Sequence, residues 1–210
     1  MPTRHSGVPP EIAHTPLGTV RPRDVTGYAR PRKELARLEE RGLLHRLSGG
    51  FYTLVPQGRV ASDWKPTLEG AAAGIAAAEF GAGRYALMSL SAARLHHAIP
   101  RAIAVATVAA PRRRETLRMT DRQATVLFRT RDVNALQLEM MQTDLGGCLV
   151  TTPEQTVLDL AYRPNIGELE EEANAAIRSL LPRCDRDLMA EIAKTQRLGR
   201  AFNRVSKMKR

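Results

Sequence analysis

The stretch Pro31–Gly42, PRKELARLEERG, has the features of a short amphipathic helix. Proline suits the first turn of a helix, where its missing N–H costs no hydrogen bond, and glycine suits the left-handed residue after the last turn. Leu35 and Leu38 are three residues apart, so they share one face. Four basic residues follow a stripe on the opposite side: Arg30, Lys33, Arg37 and Arg41. The pattern predicts a helix that buries its leucines and exposes its basic residues.

The residues before this helix provide two shorter helical segments. Three prolines limit the first segment to about one turn at residues 10–14. The second is predicted at residues 20–25, with Pro22 near its start, and Gly27 interrupts it. Three or four residues then remain before the central helix, which is the short turn that a helix-turn-helix requires.

The residues after the central helix predict a hairpin. Two β-prone runs, residues 43–47 and 51–55, are joined by Ser48-Gly49-Gly50. A three-residue loop that contains glycine is typical of a hairpin turn. The order of helix, turn, helix and hairpin therefore predicts a winged helix-turn-helix, with Arg46 and the loop placed beside a nucleic-acid backbone.

This arrangement predicts an interface for duplex DNA. The N-terminal end of a helix favours phosphate, and Arg32 and Lys33 at that end would reach base edges. The other basic residues would make salt-dependent phosphate contacts. The alternatives are a solvated basic face and a hairpin without a ligand. The predicted contacts are Arg21, Arg23, Arg30, Arg32, Lys33, Arg37, Arg46, Ser48, Gly49 and Gly50, with Arg112, Arg113 and Arg114 as candidates for further phosphate contacts.

The rest of the chain predicts a mixed α/β domain, so the expected fold class is α+β, with domains at residues 1–64 and 65–210. Trp64 lies in the connector and is expected to pack between the two domains. Ser89 or Ser91 is the expected N-cap of a helix that continues to residue 97. Strand-like runs occur at 103–109, 125–128, 136–141 and 146–151, and further helical runs at 67–80, 169–181, 188–193 and 198–205.

A further helix is predicted to start after Thr152. Threonine is a good N-cap, proline follows it, and Gln155 completes a capping box. Asp159 lies on this helix and is expected at its surface. The glutamates between Glu168 and Glu172 open the next helix, where the dipole favours them, and are a candidate contact for a protein partner.

Charge, apolar runs and cysteine spacing exclude several classes of protein. The 210 residues carry 32 Lys and Arg against 22 Asp and Glu, a formal charge of +10. Half of this excess lies in the first 66 residues, and seven more basic residues lie between Lys194 and Arg210. That stretch is expected to be a solvated tail or an extension of the DNA footprint. No apolar run approaches the length of a membrane span, and no secretory signal is recognisable. The two cysteines are not at metal-ligand spacing, so we expect a cytoplasmic protein without metal or cofactor.

Three segments resemble one known family, and the resemblance covers the chain from about residue 18 to residue 181. The winged-helix start of AbiEi-type antitoxins is similar to residues 27–54, GYARPRKELARLEERGLLHRLSGGFYTL. The Ser-Ala-x-x-x-His segment of that family is similar to residues 83–100, GRYALMSLSAARLHHAIP. Its strand-to-helix segment is similar to residues 150–164, VTTPEQTVLDLAYRP. This chain departs in its short first helix, in Ala29 where a polar cap is usual, and in its basic C-terminal stretch.

The resemblance implies a bacterial antitoxin whose toxin partner is a nucleotidyltransferase. It also implies that the N-terminal domain binds repeats in the promoter DNA of its operon and represses it, while the C-terminal domain carries the antitoxin activity. We expect a monomer or weak dimer, with two copies on paired repeats as one arrangement.

Other functions are less well supported by the sequence. A plain winged-helix repressor without a toxin partner is the nearest alternative. A metal-dependent nuclease needs clustered carboxylates near a lysine, and Glu191 and Lys194 have the wrong spacing for that role. Cys148 has no histidine base nearby in the sequence. RNA binding by the basic stretch would require aromatic side chains on which bases can stack, and Phe202 is the single aromatic residue there. We therefore expect no catalytic residues.

Overall fold

The computed structural model describes residues 7–60 and 62–208, and its fold class is α+β, as predicted. The N-terminal part contains two helices and a three-stranded sheet. The long predicted helix is confirmed: Leu35 and Leu38 are fully buried on it, and Gly42 follows it with φ 67°. The elements are α1 (Pro10–Ala13), β1 (Thr19–Val20), α2 (Pro31–Glu40), β2 (Leu44–Ser48) and β3 (Phe51–Leu54).

The predicted second helix at residues 20–25 is wrong. Val20 instead pairs with Tyr52, so β1 adds a third strand to the hairpin in the antiparallel order β1-β3-β2. Only Pro22–Asp24 is helical, as a single 3-10 turn. Val20 is buried in the small N-terminal core, and its pairing with Tyr52 is a contact between distant parts of the chain that local sequence does not indicate.

The C-terminal part is built around a six-stranded mixed sheet, as predicted. Its order is β6-β7-β5-β4-β9-β8, with β5/β7 and β4/β9 parallel and the other pairs antiparallel. Two strands of two residues, β4 and β6, are too short to leave a pattern in the sequence. The strands are β4 (Ala86–Leu87), β5 (Val105–Ala110), β6 (Leu117–Arg118), β7 (Thr125–Thr130), β8 (Leu138–Thr143) and β9 (Gly146–Thr151).

Six helices accompany this sheet. They are α3 (Leu68–Phe80), α4 (Ser89–Leu95), α5 (Pro153–Tyr162), α6 (Glu170–Leu180), α7 (Arg186–Thr195) and α8 (Gly199–Ser206). Thr152 caps α5 as predicted, by accepting from the Gln155 N–H, but the predicted capping box is wrong, because the Thr152 N–H donates to the Gln137 carbonyl and not to the Gln155 side chain. The serine cap predicted for α4 is wrong: Met88 is the N-cap residue, and the Ser91 hydroxyl accepts from the Thr107 N–H instead.

Helix α3 joins the N-terminal and C-terminal parts. It is buried almost all round because alanines cover most of its surface. At Gly74 the helix approaches β1 so closely that a Cβ would lie 2.3 Å from the Thr19 hydroxyl oxygen. Leu47 and Phe51 of the hairpin belong to the same apolar core as α3 and the large sheet. Contacts therefore cross the proposed boundary at residues 64 and 65 along a continuous core.

A second junction lies at the edge of β2. Ser48 forms an antiparallel bridge with Met119, and the His45 imidazole lies 2.8 Å from the Asp121 carboxylate. Trp64 packs edge-on against His45, with ring centroids 6.2 Å apart. The connector tryptophan thus contacts a residue that bonds across to the C-terminal part.

The basic C-terminal stretch is folded rather than solvated up to residue 208. Helix α8 buries Ala201 and Val205 against the other helices, in one core with Leu158 and Ile177. Apolar residues spaced four apart explain this packing, since they share one face of the helix. The last two basic residues, Lys209 and Arg210, lie outside the described residues, as do residues 1–6 and residue 61. Within residues 7–60 and 62–208, every helix is too short or too polar to cross a membrane.

Candidate nucleic-acid interface

Helix α2 presents its N-terminal end at the surface. Pro31 occupies the first position of the helix, and Arg30 precedes it as the N-cap residue, with φ −135° and ψ 71°. The buried leucines hold the opposite face in the small core, so the orientation of α2 is fixed. Arg30, Arg32 and Lys33 are exposed at this end. An anion placed here would meet these side chains as well as the free N–H groups of the first turn.

Seven of the ten predicted DNA contacts line one groove. This groove, hereafter the helix groove, is an open depression of about 600 Å³ between the N-terminal end of α2 and the hairpin tip. Phe51, Glu79 and Arg114 complete its charged and aromatic lining. The seven predicted residues are Arg21, Arg23, Arg30, Arg32, Lys33, Gly49 and Gly50.

Glu79 organises the floor of the helix groove. Its side chain is only 5% exposed and accepts from Arg21 at 2.8 Å, Arg23 at 3.1 Å and Arg112 at 2.8 Å. Burial raises the pKa of Glu79, but the hydrogen bonds from Arg112 and Arg21 and the charge of Arg114 outweigh burial and hold this pKa below its ordinary value. Glu79 therefore stays ionised and fixes arginines from both parts of the chain.

The remaining cations of the helix groove are available to a ligand. Among residues 7–60 and 62–208, no acidic side chain lies within 4 Å of a basic group of Arg30, Arg32 or Lys33. Arg21 differs, because Asp24 and Glu79 both neutralise it. Exposed cations that lack partners at a helix N-terminus are suited to phosphate oxygens and to the acceptor edges of bases.

The hairpin tip is narrower than predicted. Gly49 and Gly50 alone form the loop, with Gly50 at φ 82°, and a Cβ at either position would meet nothing within 4 Å. Ser48 belongs to β2 instead: it is 2% exposed, and its hydroxyl donates to the Arg118 carbonyl. The serine side chain is therefore taken up by the junction with the C-terminal part and does not face solvent.

Four other predicted residues lie outside the helix groove. Arg37 is exposed but donates to Glu34 at 2.6 Å, three residues earlier on α2. Arg46 is exposed and covers the Tyr52 ring at 5.9 Å. Arg112 lies over the Phe80 ring and pairs with Glu79. Arg113 lines a different cavity. The triple arginine is thus divided: Arg112 pairs with Glu79, Arg113 lines this second cavity, and Arg114 lines both the helix groove and the second cavity.

That different cavity was not anticipated from the sequence. It encloses about 950 Å³ in the C-terminal part, and we call it the arginine cavity. Asp159, expected at the surface, is 3% exposed and lies at its wall. Its basic residues come from four separate parts of the chain, so no local pattern could have indicated the cluster. Its arginines are Arg113, Arg114, Arg129, Arg131, Arg163 and Arg197.

The cysteine weighed as a nucleophile has an unfavourable environment. Cys148 is 3% exposed on β9, and burial raises the pKa of its thiol to about 11. A thiol with such a pKa is almost entirely protonated at neutral pH, and thiolate is the reactive form. The His96 Nε2 N–H donates to the Thr151 carbonyl oxygen at 2.8 Å. In the part of the chain that the structure describes, His, Cys, Asp and Glu form no group of three that could hold a metal ion.

Comparison with known families gives one match. The model of the AbiEi antitoxin C-terminal domain matches residues 85–208, which is more than half of the chain. A search of curated proteins finds no match. The matched range contains the whole lining of the arginine cavity, whereas Arg114 is the single member of the helix groove inside it.

Proposed function

Because the chain belongs to the AbiEi antitoxin family, and is therefore the antitoxin of a toxin–antitoxin pair, we propose that its helix groove binds promoter DNA of its own operon. In this proposal the protein represses that operon and also counteracts a nucleotidyltransferase toxin. The role is one of binding, without catalysis.

The observation that carries the DNA proposal is the convergence of seven predicted residues in one groove. They come from three separate places in the sequence, namely the turn at Pro22–Asp24, the start of α2 and the hairpin tip. The element order keeps the second helix and the hairpin wing of a winged helix-turn-helix, while β1 and a single 3-10 turn replace the helix that would precede the turn. In that arrangement, the helix N-terminus enters the major groove while the hairpin contacts the backbone.

Each group in the helix groove has a role in this proposal. Arg32 and Lys33 read base edges, because they are exposed at the N-terminal end of α2 and lack acidic partners there. Arginine favours guanine O6 and N7, and lysine favours the same acceptors. Arg30 and Arg23 contact phosphates, and the Gly49-Gly50 tip allows the backbone close to the sugar-phosphate chain. Glu79 and Arg21 position these groups without contacting DNA.

The toxin part of the proposal rests on the family alone. A nucleotidyltransferase is the partner that the resemblance implies, and the C-terminal domain is the part that opposes it. We propose that the protein is a monomer or weak dimer in solution and that two copies occupy paired promoter repeats.

The DNA proposal is tested by titrating a fluorescent duplex from the protein's own promoter with the wild type and with the Arg32→Ala/Lys33→Ala variant. We expect the variant to bind at least about tenfold more weakly and to show a shallower salt dependence. The control is Arg178→Ala/Arg200→Ala, which removes the same charge from exposed positions on α6 and α8. If both variants lose the same affinity for the duplex, the loss reflects net charge alone. If Arg32→Ala/Lys33→Ala loses no affinity, α2 is not the helix that contacts the bases.

The toxin proposal has a separate test, in which the neighbouring gene is co-expressed with the antitoxin. We expect the wild type and the Arg32→Ala/Lys33→Ala variant to restore growth equally, because the DNA interface is distinct from antitoxin activity. If the neighbouring gene encodes no nucleotidyltransferase, that part of the proposal fails while the DNA proposal stands.

A further inference from the structure

The arginine cavity has the dimensions of a binding site for a small molecule. It is bounded by the ends of β7 and α5, by the turn between α7 and α8, and by the segment before β6. Its volume of about 950 Å³ lies within the range of ligand pockets in proteins. Two of its residues, Ser89 and Arg197, have positive φ values of 48° and 57°. Such backbone conformations are costly away from glycine and cluster at ligand sites.

Positive charge exceeds negative charge in this cavity, because six arginines line it together with three carboxylates, Glu115, Asp132 and Asp159. Only Arg131 has an ion pair, since its guanidinium donates to Asp159 at 3.0 Å. The other five arginines have no acidic group within 4 Å in the described part of the chain. Burial and the nearby charge of Arg163 lower the pKa of Arg129 from its ordinary value. The Nε atoms of Arg114 and Arg129 are buried without a hydrogen-bond partner. Like charges held together in this way are stabilised by a bound anion.

Asp159 adds a buried acceptor to the same cavity. One carboxylate oxygen accepts from Arg131 and from the Gln155 amide at 3.2 Å, while the other oxygen, Oδ2, is buried without a partner. Gln196 braces this group by accepting from Arg131 at 2.8 Å and donating to the Ala135 carbonyl. A buried acceptor without a partner is unfavourable unless a ligand supplies a donor. A ribose hydroxyl or an exocyclic amine of a base would provide one.

Tyr162 supplies an aromatic surface at the rim of the cavity. It is 53% exposed, although it follows three buried residues at the end of α5. The Arg163 guanidinium lies 5.8 Å from the centre of its ring. An exposed ring beside a guanidinium is a stacking platform for a base.

We propose that the arginine cavity binds a nucleotide. Arg129, Arg163 and Arg197 bind its phosphate, and Tyr162 stacks on its base. The nucleotide is either free or the end of a single strand, since both present the same groups. Duplex DNA is a poor occupant because its bases are already stacked and its backbone lies on the outside, whereas the unpaired groups line a concavity.

Isothermal titration of the full chain tests this proposal. The probes are the four ribonucleoside triphosphates, an unstructured pentaribonucleotide and inorganic phosphate. The cavity variant is Arg163→Gln/Arg197→Gln, whose two positions are exposed. Its control is Arg178→Gln/Arg200→Gln, which removes the same charge from exposed residues outside the cavity. We expect the cavity variant to weaken nucleotide binding at least about tenfold and the control to change it less than about twofold, because exposed charges outside the site contribute little.

A second variant, Tyr162→Ala, separates a nucleotide from a simple anion. We expect about a tenfold loss for the nucleotide and no change for inorganic phosphate, since only the base stacks. Binding of triphosphates identifies a free nucleotide, and binding of the pentaribonucleotide alone identifies a strand end. The proposal is overturned if no probe binds, if phosphate binds as tightly as the nucleotides, or if promoter duplex displaces the nucleotide in competition. These outcomes do not depend on the helix groove, because Arg32→Ala/Lys33→Ala leaves the cavity lining unchanged.

Discussion

The helix groove and the arginine cavity are both basic, but they hold their charge differently. In the helix groove, Glu79 binds three arginines and leaves the exposed end of α2 free. In the arginine cavity, one arginine is paired with Asp159 and five are not. An open groove with ordered cations suits a large rigid polyanion, whereas a concavity with unpaired cations and a buried acceptor suits a small ligand that brings its own donors. Net charge alone does not distinguish these two surfaces.

The largest effect that we expect concerns Asp159. Burial raises its pKa to about 6, although Arg131 and Gln155 favour the ionised form, and its ordinary pKa is 3.8. Between these two values the folded protein binds more protons at Asp159 than the unfolded chain does. The free energy of unfolding therefore falls as pH rises through this window, by about 3 kcal/mol for a difference of about two pKa units.

Urea unfolding of the wild type and Asp159→Asn across pH 3.5 to pH 7 measures this effect. We expect the wild type to lose stability relative to the variant as pH rises, and to level off above about pH 7. If the free energies of unfolding of the two proteins change in parallel with pH, Asp159 ionises as an exposed carboxyl does. In that case the arginine cavity contains no buried acceptor at Asp159.

Glu79 provides the corresponding test for the helix groove. Glu79→Ala should lower the free energy of unfolding by about 2 kcal/mol, which is less than for a fully buried ion pair because Arg23 and Arg112 can turn toward solvent. Glu115→Ala removes an exposed carboxylate that lines the arginine cavity, and it should change stability by less than about 0.5 kcal/mol. Similar losses for the two variants would contradict the different organisation of the two surfaces.

Arg37 should have the smallest effect. It belongs to the basic stripe of α2 but pairs with Glu34 and lies outside the helix groove. We expect Arg37→Ala to change affinity for the promoter duplex by about twofold or less, because an exposed and already paired arginine contributes little. Arg30→Ala is its comparison, because Arg30 is a proposed phosphate contact, and it should flatten the salt dependence by about one unit of slope. A larger loss for Arg37→Ala would extend the interface along the whole stripe.

The sequence predicts the helix groove better than the arginine cavity, because the residues that define α2 are close together in the chain and those of the cavity are not. Leucine spacing, Pro31 and Gly42 lie within one short stretch, so they predict α2 and its basic end directly. The cavity combines Arg129, Arg163 and Arg197 from three elements. Nothing in their local sequence indicates that the sheet and helices bring them together.

Two errors have a similar physical origin. Asp159 is a polar residue among apolar neighbours on its helix, and its buried carboxylate is paired with Arg131, which directly follows β7. The basic stretch after Lys194 is dominated by charge in the sequence, but Ala201 and Val205 decide its packing. In both cases the residues are buried by parts of the chain that are distant in the sequence, so local composition predicts an exposed environment where the structure has a buried one.

The central claim is that the two basic surfaces bind different ligands, and a crossed titration tests it most directly. Promoter duplex and nucleotide are each titrated into Arg32→Ala/Lys33→Ala and into Arg163→Gln/Arg197→Gln at one salt concentration. We predict that the first variant loses at least about tenfold in duplex affinity and keeps its nucleotide affinity, and that the second shows the reverse. Equal losses of duplex affinity in both variants would contradict the claim and would make the two surfaces one continuous DNA interface.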